Sequence, residues 1–282
     1  MQTARRRGER FPHAILTDVG RVRERNEDLA FVDPQRGIFL LADGMGGHPD
    51  GNLAAKIAIE TTIHYLTAPG IVGRPRDRGQ KLCQAILAAN RAILERSGAG
   101  DGGIGMGTTL VCLWLSKRNV HVAHVGDSRI YRLRDGVVEQ LTRDHTVVQA
   151  LLDRGDLAEG APEIVQLGHI LPQAVGLDPA VEPEVQKLAL DAGDIFLLCS
   201  DGLSDLVPDA AIGATVGASE GDLLAAANAL VATALNSGGH DNVTVVLIRN
   251  DQGVARSASR PSSCSVDTSM LRPELPCTSE KS

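Results

Sequence analysis

Aromatic side chains are nearly missing from this chain: four Phe, two Tyr and one Trp make up 2% of its 282 residues. Hydrophobic residues still reach 43%, so Ala, Val, Leu and Ile must fill the interior. Positive charge is also short, with 28 Lys and Arg against 35 Asp and Glu and a net charge of −7. That balance argues against nucleic-acid binding, which needs clustered Lys and Arg to displace counterions. Apolar runs such as Ile38–Ala42 and Ile195–Cys199 fall well short of the ~18 residues that cross a bilayer. Arg5, Arg6, Arg7 and Arg10 are followed by no apolar segment that would complete a signal peptide. The five cysteines (Cys83, Cys112, Cys199, Cys264 and Cys277) are odd in number and show no Cys-x-x-Cys spacing. They indicate neither a disulfide framework nor a zinc site. A cytoplasmic protein without membrane association is expected.

What is present falls into blocks of strands and helices. Residues 1–12 read as a flexible basic arm. Short apolar or alternating runs bounded by Gly, Pro and Asp predict strands at Ala14–Asp18, Leu29–Asp33 and Gly37–Ala42. Apolar spacings of three and four predict helices at Asn52–Leu66 and Lys81–Arg96. Gly98–Gly107 is a turn or loop. Strands return at Thr108–Leu115, Val120–Val125, Arg129–Leu133 and Val137–Gln140, with Asp135-Gly136 as a hairpin signal between the last two. Residues 142–180, with a short helix near Thr146–Arg154 and three prolines, read as a flap. Strands at Val185–Leu190 and Ile195–Cys199, helices near Pro208–Val216 and Asp222–Leu235, and a strand at Asn242–Arg249 complete the unit. The Ser- and Pro-rich tail, 251–282, has no period and is predicted to be disordered. One domain over 13–250 is expected. Grouping of hairpin-linked strands apart from helices favours an α+β layered sandwich over a doubly wound parallel sheet.

Two runs echo each other: Ile38-Phe39-Leu40-Leu41-Ala42-Asp43-Gly44 and Ile195-Phe196-Leu197-Leu198-Cys199-Ser200-Asp201-Gly202. Each is expected to be a buried strand that ends by pushing Asp-Gly out of the core. Val120–Val125 leads likewise into Gly126-Asp127, and Asp241 opens the last strand. Any one Asp-Gly is ordinary turn chemistry. Four Asp at the ends of apolar strands are more specific, because carboxylates gathered at one rim repel unless cations bridge them. An all-oxygen donor set suits Mg²⁺ or Mn²⁺. Glu27 and Asp28 add two acids before a strand. Arg23, four residues ahead of Glu27, can fork onto a phosphate held by the same metals.

Arg-x-x-Asn-Glu-Asp at 23–28, Asp-Gly-Met-Gly-Gly at 43–47, Gly-Thr-Thr at 107–109 and Gly-Asp-Ser-Arg at 126–129 occur in order. Leu-Thr-x-Asp-His at 141–145, Ser-Asp-Gly at 200–202 and Gly-Gly-x-Asp-Asn-Val-Thr at 238–244 continue the series. Over about 14–249 this resembles the metal-dependent protein phosphatase family, protein phosphatase 2C, in its bacterial form. The resemblance implies a four-layer αββα sandwich of two antiparallel sheets flanked by helices, with the flap beside a metal cleft. It implies a serine/threonine phosphatase that hydrolyses phosphoserine and phosphothreonine with metal-activated water at a binuclear Mn²⁺ or Mg²⁺ centre, with a third ion in some members. Asp43 would bridge the two ions, Asp201 and Asp241 would complete one, and Glu27 with the Gly44 carbonyl would serve the other. Asp127, with Asp201, matches the third-metal position. Arg23 would hold the substrate phosphate, and Asp28 would orient water from behind the ligands. Met45 stands where many eukaryotic relatives carry a general-acid His, which leaves water or the loop residue His48 to protonate the leaving group. His145 and His240 read as structural. The implied partners are phosphoserine and phosphothreonine proteins and a Ser/Thr kinase acting on the same targets.

Other readings fail on spacing. Gly100–Gly105 satisfies G-x-G-x-x-G but follows a helix and precedes a strand, the reverse of a dinucleotide site. No Lys follows a Gly, which excludes a Walker-type loop. Cys112 and Arg118 have the spacing of cysteine-dependent phosphatases, yet the residues between them form an apolar strand, so Cys112 belongs to the core. The Asp-Gly pairs lack EF-hand spacing. A catalytically inactive relative that binds phosphoproteins is the alternative of a different class, and the presence of every acid and of Arg23 argues against it.

Overall fold

The computed structural model describes residues 10–45, 50–68, 78–97, 105–158, 160–161, 164, 167 and 170–252. Most of the expected basic arm, part of the expected flap and the tail beyond 252 lie outside the described residues. Along the chain run β1 (His13–Asp18), β2 (Asp28–Asp33), β3 (Ile38–Met45), α1 (Asp50–Thr67), α2 (Arg78–Ser97), β4 (Gly107–Thr108), β5 (Leu110–Leu115) and β6 (Asn119–Val125). Then come β7 (Arg129–Arg134), β8 (Val137–Gln140), α3 (Val147–Arg154), β9 (Glu184–Ala189), β10 (Ile195–Cys199), α4 (Asp201–Ser204), α5 (Asp209–Ala218), α6 (Leu223–Asn236) and β11 (Val243–Arg249).

The strands form two antiparallel sheets. One has the order β1-β11-β10-β7-β8, and the other β2-β3-β5-β6-β9 with β4 paired to β3. Alternation along each strand builds the layers. On β3, Ile38, Leu40 and Ala42 join Ala54, Ala58, Leu82 and Ile86 of the α1–α2 layer. Phe39 and Leu41, on the opposite face, join Phe196 and Leu198 of β10 and Val246 and Ile248 of β11 between the sheets. On the far side, Leu197, Val245 and Leu247 pack on Ile212, Leu230 and Ala234 of α5 and α6. The result is an αββα sandwich. Each fully buried Leu, Ile or Phe of the inter-sheet layer contributes roughly 1.5–3 kcal/mol of transfer free energy. With both faces covered, β5 and β11 read as continuous apolar runs rather than alternating ones.

Local signals end the elements where expected. Asp135 and Gly136, at φ 50° and 78°, make the β7–β8 hairpin turn. Thr146 caps α3 by accepting from the Gln149 N–H, and Gly155 closes it at φ 74°. Three boundaries differ from the sequence reading. β3 runs through Asp43 and Gly44 to Met45, because Gly44 and Met45 pair with β4. The Asp-Gly pair is therefore held inside a ladder rather than pushed past a strand end. The strand expected over 108–115 is broken at Thr109, whose N–H turns to the Asp43 carbonyl at 2.8 Å. Asp201 opens a four-residue helix, α4, instead of a turn. Among the described residues, no helix is long and apolar enough to cross a membrane.

Candidate active site

Arg23, Glu27, Asp43, Gly44, Asp127, Asp201 and Asp241 line one cavity of about 490 Å³ at the end of the sandwich. Seven positions spread over 219 residues of sequence thus line one space. Asp43 continues the Phe39–Leu41 face of β3 and emerges between the sheets. Asp127 sits where β6 leaves one sheet and β7 enters the other. Asp201 follows β10, and Asp241 precedes β11. Asp28 lies behind the cavity as the register partner of Asp43, and its Oδ2 accepts from the Ser200 hydroxyl at 2.8 Å. His48 lies outside the described residues. His240 lines an adjoining 270 Å³ recess with Arg23 and Asp241.

The backbone carrying these acids is braced by residues to which the sequence reading gave no role, most of them inside the motifs it quoted. The Thr109 hydroxyl accepts from the Asp43 N–H at 3.0 Å and meets Ser128 Oγ at 2.7 Å. The Thr108 hydroxyl donates to the Asp43 carbonyl at 2.8 Å. Buried Asn242 holds the loop that presents Arg23 and Glu27. Its Oδ1 accepts from the Glu27 N–H at 2.8 Å, and its Nδ2 donates to the Val19 and Arg25 carbonyls, both at 2.9 Å. Gly51, in the first turn of α1, leaves room for Glu27: a Cβ there would lie 2.1 Å from Glu27 Oε2. Gly126, at φ 101°, turns the chain into Asp127, and a Cβ there would lie 2.7 Å from the Thr109 side chain. Asp205, one helical turn after Asp201, adds a further acid that the Ser-Asp-Gly motif alone does not reveal. Recognition of α4 is the signal that finds it.

Electrostatics define what the cavity suits. Burial, then the neighbouring carboxylates, hold Asp43 and Asp201 protonated well above the usual carboxylate range. Asp127 is pushed up to about 7 by burial and by Asp144, and Asp28 to about 6 by burial. Asp201 Oδ1 is buried without a hydrogen-bond partner. Arg23 meets Asp241 on the outer side, its Nη2 donating to Oδ2 at 2.7 Å. Mutually repelling carboxylates, an orphaned buried oxygen and a hard-oxygen donor set fit divalent cations of the Mg²⁺ or Mn²⁺ type.

Comparison with known proteins agrees with this fold. The profile of the family Protein phosphatase 2C matches residues 21–220. The Serine/threonine protein phosphatase PstP of Mycobacterium tuberculosis is 38% identical over 237 residues, which cover 83% of this chain and 44% of that protein. The chain thus spans less than half the length of this mycobacterial relative. The Serine/threonine phosphatase stp of Listeria welshimeri is 34% identical over 254 residues, covering 86% of this chain and 98% of the relative. The crystal structure of the M. tuberculosis phosphatase superposes with a TM-score of 0.75 at 36% identity, covering 85% of this chain and 98% of that one. The catalytic domain of PstP in complex with two manganese ions gives a TM-score of 0.73 at 36% identity, with 85% and 97% covered. The chain belongs to the protein phosphatase 2C family.

Proposed function

We propose that this chain hydrolyses phosphoserine and phosphothreonine in proteins, using two Mn²⁺ or Mg²⁺ ions held by the acidic cavity. The observation that carries the reading is the convergence of Glu27, Asp43, Asp127, Asp201 and Asp241 with Arg23 around one 490 Å³ space. In this reading Asp43 serves both ions, Asp201 and Asp241 complete one, and Glu27 with the Gly44 carbonyl serves the other. Asp127 and Asp201 offer a third position. When bound, such ions supply Lewis-acid charge to the phosphoryl oxygens and make water acidic enough to attack near neutral pH.

The chain's own residues do the rest. Arg23, on the exposed lip, offers a planar fork to two phosphate oxygens and so sets the phosphorus in line for attack. Asp28 backs Asp43 across the β2–β3 ladder. Ser200 and Thr109 hold the acids in place, so that cations find the donors preorganised. The unit 13–250 is the catalytic domain, and Leu171, within the expected flap, lines its cleft. The composition supports a cytoplasmic setting. A Ser/Thr kinase that phosphorylates the same targets is the natural counterpart.

The test is phosphate release from a phosphothreonyl peptide with Mn²⁺, then with EDTA, beside the Asp201→Asn protein. Release that needs metal and disappears in the variant is expected. No release by folded, metal-loaded protein from a panel of phosphopeptides would overturn the assignment in favour of a phosphoprotein-binding module.

A further inference from the structure

Away from the acidic cavity, three residues from three segments converge. His124 lies on β6, Glu184 is its register partner on β9, and His145 stands just before α3. A ring nitrogen of each histidine and a carboxylate oxygen of Glu184 all lie within 4.8 Å of one another. The two imidazoles face each other with centroids 4.7 Å apart at 33°. His145 Nε2 and Glu184 Oε1 are 3.4 Å apart. That is long for a hydrogen bond. It matches the edge of a tetrahedron of 2.0–2.1 Å bonds, about 3.3 Å.

We propose that His124, His145 and Glu184 form a further metal site that takes Zn²⁺, with its fourth position open to solvent. Two imidazoles and one carboxylate are a borderline-soft donor set, which favours zinc over the hard ions suited to the acidic cavity. The surroundings resemble those of a ligand set rather than of a stray pair. The Arg143 carbonyl lies 2.7 Å from His124 Nε2 and the Arg143 N–H approaches the same nitrogen at 3.3 Å; the shorter contact favours a proton on Nε2 and a lone pair on Nδ1. The Gly126 N–H approaches His145 Nδ1 at 3.4 Å, too long to fix which nitrogen carries its proton. His124 and His145 are buried, at 2% and 8% exposure, whereas Glu184 is half exposed and gives an ion its way in. A cavity of about 540 Å³, lined by His124, Gln149 and Glu184 among others, opens onto the group.

The site joins parts of the fold that matter to the cleft. The His145 N–H donates to the Gly126 carbonyl at 3.1 Å, one residue before Asp127. An ion here ties the entrance of α3 to the β6–β9 edge. The inference does not rest on the phosphatase reading, because zinc binding is measured without turnover.

The test is calorimetric titration of the full chain with Zn²⁺ in excess Mg²⁺, which competes for the acidic cavity. One equivalent of zinc is expected in the wild type and in Asp201→Asn. Binding should be weaker by at least about tenfold in Glu184→Gln and lost in His145→Gln. Glu184 is exposed, so its variant decides the matter even where a buried-histidine variant unfolds. Zinc-edge anomalous diffraction should place the ion between the three side chains. Absence of zinc binding, zinc found only in the acidic cavity, or affinity lost in Asp201→Asn but retained in Glu184→Gln would each refute the site.

Discussion

Arg23 Nη2 and Asp241 Oδ2 sit 2.7 Å apart, so the guanidinium expected to hold a phosphate rests on a carboxylate expected to hold a cation. The pair is exposed, with 58% of the Arg23 side chain accessible, and is worth only about 0.2–1 kcal/mol. A charge-assisted hydrogen bond to phosphate is worth about 1.5–3 kcal/mol. Arg23 is thus free to exchange Asp241 for substrate at little cost. Arg23→Ala should raise KM for a phosphopeptide about tenfold or more and change kcat less. Arg23→Lys, which keeps the charge and loses the fork, should recover only part of the difference. Steady-state kinetics of the two variants check both statements.

Asp201→Asn and Asp241→Asn should abolish phosphate release while the proteins remain folded. Their melting temperatures in EDTA should equal or exceed that of the wild type, since an amide at 201 avoids the cost of keeping a buried carboxyl protonated and an amide at 241 removes a charge that repels its neighbours. A variant that loses activity and also melts several degrees lower would point to damage of the fold instead.

The metal-free protein should lose stability as pH rises from 6.5 to 8.5. Asp127, at about 7, and Asp43 and Asp201, raised well above the usual carboxylate range, keep protons in the folded chain that the unfolded chain has already released near pH 4. The folded state binds more protons in this window, so the slope of unfolding free energy against pH is negative. Each extra proton contributes at most about 1.4 kcal/mol per pH unit. Below pH 6.5 His121, pushed down to about 4 by burial, and His124, also lowered by burial, oppose this trend. Melting in EDTA should therefore fall by several degrees across the window, and Asp127→Asn should flatten the slope. Saturating Mn²⁺ should raise the melting point and reverse the sign, because the ionised carboxylates bind it.

Asn242→Ala should loosen the loop at residues 19–27. It leaves the Glu27 N–H and two carbonyls without their partner, at about 1–3 kcal/mol for each group that stays buried. Chemical denaturation should show a loss of roughly 2–4 kcal/mol. Weakened Mn²⁺ activation should accompany it, because Glu27 is then held less firmly.

Much of this was legible from the chain alone. The apolar runs around Phe39 and Phe196 reveal strands buried on both faces, and the Asp after each marks where the sandwich opens. The extension of β3 through Asp43 was not legible, because it depends on pairing with Gly107 and Thr108 sixty residues away. Asp205 was hidden by a helix too short to show a period. The role of Asn242 depends on three backbone groups with no signature of their own. His124, His145 and Glu184 share no local spacing, and only the β6–β9 register and the approach to α3 bring them together.

The acidic cavity is assembled across the seam of the sandwich. Asp43 is fixed to one sheet, whereas Asp201 and Asp241 flank strands of the other. The gap between carboxylates is therefore a sheet-to-sheet distance, gauged by the thickness of the apolar filling around Phe39, Phe196 and Ile248. That filling is a spacer with a calibration. Trimming Phe196 would let the sheets settle and alter which ionic radius fits, with Mg²⁺ the more exacting because of its short, octahedral bonds. Cation preference in this fold is thus written partly in hydrocarbon, in side chains that never touch an ion.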